Sequence, residues 1–234
     1  MRTIMQGRYQ FVYFVLALVV LGCSSKENTK TIAPNQVVAE LPIGNSEEGK
    51  ILYTTCKTCH GDSAEGNQKL RAPALANTDG WYLYRQLMNF HKGIRGYLET
   101  DTLGYQMAAM ARTLKDSIAI SHVVAYIKTM PVAELPVIIQ GDIQKGERTY
   151  QSICGSCHGA RAKGNEKMNA PRLNGVDDWY LESQINKFKN SIRGAHPADK
   201  FGAQMIPMVT LLTSDQAVKD VIAYIRSTTK PVSE

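Results

Sequence analysis

The sequence predicts an all-α protein built from two tandem domains, and three observations predict it. Residues 56–130 align with residues 154–228 at a constant offset of 98, with 31 of 75 positions identical, which is the signature of a duplicated unit. Within each copy apolar residues recur at helical spacing: Leu83, Leu87 and Phe90 stand at i, i+4 and i+7, and Leu181, Ile185 and Phe188 repeat them. The stretches between such segments are rich in glycine or contain proline, and they lack the apolar-polar alternation of a strand.

Taken from the amino terminus, residues 1–22 carry Arg2 and Arg8, no acid, and an apolar run over 11–21 that ends at Gly22-Cys23. A basic start, a short apolar run and a small residue predict a signal peptide over 1–22. The run is well short of the roughly 20 residues that a spanning helix needs. Val20-Leu21-Gly22-Cys23 resembles a bacterial lipoprotein processing box, so Cys23 is expected to be lipidated and to become the new amino terminus. The alternative is ordinary cleavage with Cys23 incidental, but a lone unpaired cysteine in an exported chain asks for a use. Residues 23–45, rich in Ser, Lys, Asn, Thr and Pro, then read as a tether with a root-mean-square span of about 25 Å.

The first domain is expected over 46–130, a linker with Pro131 and Pro136 over 131–141, and the second domain over 142–234. One residue is inserted before Cys154, since Gly49 and Tyr53 match Gly146 and Tyr150 at an offset of 97. Each domain closes on an amphipathic helix, with Ile120, Val123, Val124 and Ile127 on one apolar face and Val218, Val221, Ile222 and Ile225 on the other copy's. Ser214 and Asp215 supply cap chemistry for the second, and residues 137–139 form an apolar stretch able to pack on either domain. Domains of this size bury a limited core, so part of the apolar pattern is expected to serve a cofactor.

Cys56-Lys-Thr-Cys59-His60 and Cys154-Gly-Ser-Cys157-His158 match the C-x-x-C-H signal for covalent haem. Two thiols one helical turn apart can reach the two vinyl groups on one haem edge, and the next residue brings an imidazole to the iron. A redox dithiol would want a βαβ context, and a zinc site would need further Cys or His ligands; a plain disulfide is the third competing reading. Two haem c groups are therefore the expected cofactors.

The repeat also nominates the sixth ligand. His91, His122 and His196 align with Lys189, Asp220 and Leu98, so no second histidine recurs. Met107 and Met205 recur in Gly-x-Gln-Met, expected on a loop before the last helix, with Met110 and Met208 three residues on as the alternative pair. Thioether is a donor that raises the iron potential, which suits a respiratory carrier.

These residues resemble the class I cytochromes c and, in doubled form, the diheme cytochrome c4 group. The resemblance covers roughly 46–229 and rests on both C-x-x-C-H motifs, the Ala-Pro-x-Leu loops at 72–75 and 170–173, and the Met-x-x-Met segments. The Trp-Tyr-Leu and Ile-Arg-Gly segments are similar to those of cytochrome domains fused to oxidase subunit II. The resemblance implies a helical globule around each haem, with Gly49 or Gly146 where first and last helices cross beside Tyr126 or Tyr224. It also implies that the Pro73 and Pro171 carbonyls accept the imidazole Nδ1 proton, and that Arg95 and Arg193 neutralise propionates with Trp81 and Trp179 nearby. The lipoprotein box departs from the largely soluble cytochrome c4 group.

The formal charge of +6 becomes +4 without Arg2 and Arg8, and two haems bring it to about +2 oxidised or about 0 reduced. Basicity therefore makes no case for nucleic acid, and no nucleic-acid motif accompanies it. The expected function is a periplasm-facing, non-enzymatic carrier passing single electrons from a quinol-oxidising complex to a terminal oxidase or reductase. A diheme peroxidase and a permanent oxidase subunit are the alternatives.

Overall fold

A computed structural model describes residues 43–229. The expected signal peptide, the lipidated Cys23 and the tether up to residue 42 lie outside the described residues. The elements run α1 (Ser46–Tyr53), α2 (Lys57–His60), α3 (Gly80–His91), α4 (Thr102–Ala111) and α5 (Ser117–Ile127), then α6 (Ile143–Ile153), α7 (Gly155–His158), a 3₁₀ turn (Glu166–Met168), α8 (Asp178–Lys189), α9 (Lys200–Ala203), α10 (Met205–Thr210) and α11 (Asp215–Ser227). Among the described residues the only extended pairing is one isolated bridge per half, Asn67 with Ala72 and Asn165 with Ala170.

Short polar side chains start the helices by accepting from otherwise orphaned backbone N–H groups. Asn45 caps α1 through Glu47 N at 2.9 Å, Asp116 caps α5 through Ala119 N at 2.9 Å, and Ser214 caps α11 through Ala217 N at 3.1 Å. The apolar faces read from the sequence then close two cores: Leu83, Ile120, Val123 and Ile127 are buried in one, and Leu181, Val218, Val221, Ile222 and Ile225 in the other. Ile139 of the linker is buried in the second core, while Val137 and Ile138 stay exposed.

The crossing of first and last helices sets the frame. A Cβ on Gly49 would overlap the His122 carbonyl of α5, and one on Gly146 the Asp220 carbonyl of α11, so only glycine lets each pair approach. Tyr53 then meets Tyr126 edge-on at 5.6 Å and donates its hydroxyl to Gly61 O at 2.9 Å. Tyr150 repeats this, 5.2 Å from Tyr224 and 2.8 Å from Gly159 O. Each tyrosine thus ties the helix crossing to the residue after the C-x-x-C-H histidine.

One expectation is corrected here: Met107 lies within helix α4 and Met205 opens helix α10, not on loops. Asp101 caps α4 through Gly104 N at 3.1 Å, and Asp199 caps α9, just ahead of Met205, through Gly202 N at 2.9 Å.

Candidate functional site

The C-x-x-C-H segments form tight turns. In α2 and just before it, Cys59 N and His60 N both donate to Cys56 O, at 3.2 and 3.0 Å, and Cys157 N and His158 N do the same to Cys154 O. The four thiols make no disulfide: Cys56 and Cys154 are half-buried, Cys59 and Cys157 exposed. Burial pushes the Cys56 and Cys154 thiols up to about 11. No group of three or more His, Cys, Asp or Glu converges among the described residues, so the zinc alternative lacks its ligands.

The loop after each motif folds back under its histidine. Gly66 N donates to His60 O at 2.8 Å, Asn67 and Ala72 exchange bonds of 2.7 and 3.0 Å, and Leu75 N reaches Ala64 O at 2.8 Å. Gly66 makes this return at φ +86°, a conformation that an L side chain resists. The loop presents the Pro73 carbonyl to His60 Nδ1 at 2.8 Å, and Pro171 presents its own to His158 Nδ1 at the same distance. A carbonyl can only accept, so Nδ1 carries the proton and Nε2 is the nitrogen available to a metal. Burial holds both imidazoles below their ordinary pKa, against the raising influence of the proline carbonyl.

Each histidine stands in an apolar cleft, of about 400 Å³ in the first half and 300 Å³ in the second. The first is lined by Cys56, Cys59, His60, Pro73, Leu83, Phe90, Met107 and Met110, the second by Cys154, Cys157, His158, Pro171, Leu181, Phe188, Met205 and Met208. Both methionines of each pair reach the cleft. In the first half Met107 packs on Phe90, Ala108 and Ala111, whereas Met110 is 41% exposed.

The clefts adjoin: Thr78, Tyr82, Gln86, Val176, Tyr180 and Gln184 line both. Arg95 and Arg193 are buried there, stacked on Phe90 and Phe188 with the guanidinium 4.4 and 4.6 Å from the ring. Trp179 lines the cleft of the other half and carries Arg71 over its ring. Trp81 lies under Arg85 at 4.8 Å, and Arg85 lines the second cleft. The tryptophans therefore serve the junction between halves. Sequence reasoning passed over Tyr82, Gln86, Tyr180 and Gln184, although both pairs recur at the offset of 98; the signal was in the repeat.

A haem fits these residues: two thiols one turn apart, apolar walls, an imidazole held by Nδ1 and thioethers in the same cleft. The buried Arg193 Nε, which has no hydrogen-bond partner among the described residues, adds a donor suited to a carboxylate. Fold and site define a class, a tandem protein with two covalently bound haem c groups attached through Cys56, Cys59, Cys154 and Cys157.

The chain belongs to the cytochrome c family, whose model matches residues 46–131 and again 143–229. It is 26% identical over 192 residues to the Cbb3-type cytochrome c oxidase subunit FixP of Sinorhizobium medicae, covering 78% of this chain and 60% of that subunit. It is 28% identical over 196 residues to a thiosulfate dehydrogenase electron acceptor of Stutzerimonas stutzeri, covering 76% of this chain and 84% of the acceptor. Reduced cytochrome c4 from Pseudomonas stutzeri shares the fold, with a TM-score of 0.60 and 22% identity over 78% of this chain and 98% of its own.

Proposed function

We propose that the protein is an exported electron carrier, anchored through a lipidated Cys23, that takes electrons singly from a quinol-oxidising complex and passes them to a terminal oxidase or reductase. The observation that carries this reading is the matched pair of clefts, each with an imidazole fixed through Nδ1 and methionines on the same cavity. A haem iron bound there supplies a one-electron couple. His60 and Met107 would hold one iron, and His158 and Met205 the other. The Pro73 and Pro171 carbonyls fix each ring and raise its basicity as a ligand. Arg95 and Arg193 offer buried positive charge to propionates. Held by an imidazole and a thioether together, each haem would supply electron transfer rather than peroxide turnover.

The family likeness to an oxidase subunit favours a second reading, a permanent subunit of an oxidase complex; it changes how long the partner stays, not the chemistry. For the carrier, reduced protein is mixed with peroxide and, separately, with membranes containing a terminal oxidase. Rapid oxidation by the membranes and sluggish oxidation by peroxide is the expected result, and turnover of peroxide at 1–1000 per second, of the order usual for enzymes, would overturn it. Labelled fatty acid should enter the wild-type chain and not Cys23→Ser; an unlabelled wild type would end the anchoring proposal.

A further inference from the structure

Where the two clefts meet, the hydrogen bonds are reciprocal. Gln86 Oε1 accepts from Arg95 of its own half at 2.8 Å and from Arg193 of the other at 3.0 Å. Gln184 Oε1 accepts from Arg193 at 2.9 Å and from Arg95 at 2.8 Å. Tyr180 and Tyr82 complete the ring by accepting from Arg95 at 2.8 Å and Arg193 at 2.6 Å. Two buried guanidiniums are thus gathered onto two neutral amide oxygens. Two aspartates of the methionine segments are engaged elsewhere: Asp199 caps α9, and Asp101 caps α4 and binds Lys187 at 2.6 Å.

Guanidiniums cannot shed their charge, and at low dielectric their fields reach well beyond contact distance. An acceptor shared between them fixes both at once. We infer that Gln86 and Gln184 are positioning residues for electron transfer, each setting the reduction potential of both haems by holding the arginine of either half against its cleft. The inference rests on the reading of one haem in each cleft. A residue that served only its own domain would need one guanidinium within reach; each glutamine has two, one from each half.

The test uses the full holoprotein. Gln86→Glu and Gln184→Glu each place an anion between the two arginines and favour ferric iron in both clefts. Each single variant is expected to lower both midpoints together, by about tenfold in the oxidised-to-reduced equilibrium or about 59 mV for a one-electron couple. The titration reads this as two steps moving in parallel, or as one wave that moves without splitting. One midpoint moving alone, or neither moving, would overturn the inference even if the variant were less stable. Gln86→Met and Gln184→Met keep the volume, delete the shared acceptor and are read the same way if the charged variants do not fold. Fewer than two haems in the wild-type chain would defeat the underlying reading; two haems with a single moving midpoint would defeat this inference alone.

Discussion

The two halves are alike where they hold the haem and differ where they hold each other. Both line their clefts with cysteines, histidine, proline and methionines, and the histidine-to-proline-carbonyl distance is the same 2.8 Å in each. Each also reaches across to the loop residue after the other's proline. Asp177 accepts from Ala74 N at 2.9 Å, and Asp79 meets Arg172, its counterpart, through the backbone at 3.4 Å and the guanidinium at 3.3 Å. The first contact lacks a cation that the second has. A further difference lies under the methionines, where α4 is one ten-residue helix but the second half is divided into α9 and α10. Position 109 is alanine and its counterpart 207 is proline; Pro207 has no N–H to give to residue 203 and crowds that carbonyl. Duplication preserved the cofactor machinery because its geometry tolerates little change, while the surroundings were free to diverge.

The comparison breaks most visibly at the methionines. If the halves are equivalent, Met107→Ala and Met205→Ala should each remove about half of the ferric methionine–iron absorption band near the red end of the spectrum, and the double variant all of it. Retention of the band in Met107→Ala with its loss in Met110→Ala would move the assignment three residues along α4.

The helix division gives the next effect. Ala109→Pro should cost about 3 kcal/mol of stability by interrupting α4, whereas Pro207→Ala, at a place already divided, should change it by less than about 1 kcal/mol. Equal losses in denaturant unfolding would show that the proline is not what separates α9 from α10.

The smallest effect concerns the interdomain aspartates. Burial raises the Asp177 pKa above its ordinary 3.8, against the lowering influence of Ala74 N and of Arg226. The folded chain therefore binds that proton more tightly than the unfolded chain, and this contribution to stability fades as pH rises through the raised value. Asp177→Asn should gain stability relative to wild type as pH rises above the ordinary carboxylate range. Asp79→Asn, at a half-exposed ion pair, should lose no more than about 1 kcal/mol. Unfolding curves for the two variants across that range would separate them, and a loss in Asp177→Asn that grows with pH would contradict the assignment.

Much of this was legible in the linear chain because it depends on short-range periodicity and on exact recurrence. Thiol spacing, the histidine beside it and the apolar faces of α3, α5, α8 and α11 are local patterns, and the duplication supplied an internal control that excluded His91, His122 and His196 as recurring ligands. The methionine segments were expected as loops, whereas the capping carboxylates of Asp101 and Asp199, which start α4 and α9, act through hydrogen bonds that spacing alone does not reveal.

By itself the sequence determined two helical domains, their covalent haem sites and the candidate ligands, since each follows from residues a few positions apart or 98 apart. Only the tertiary structure decided that Arg95 bonds Tyr180 and Gln184, that Trp179 lines the other half's cleft, and that the two clefts share a wall. Those contacts join residues of separate domains, and a repeat carries no information about how its copies face each other. That choice is made by surface complementarity and by burying two guanidiniums where both glutamine oxygens can receive them.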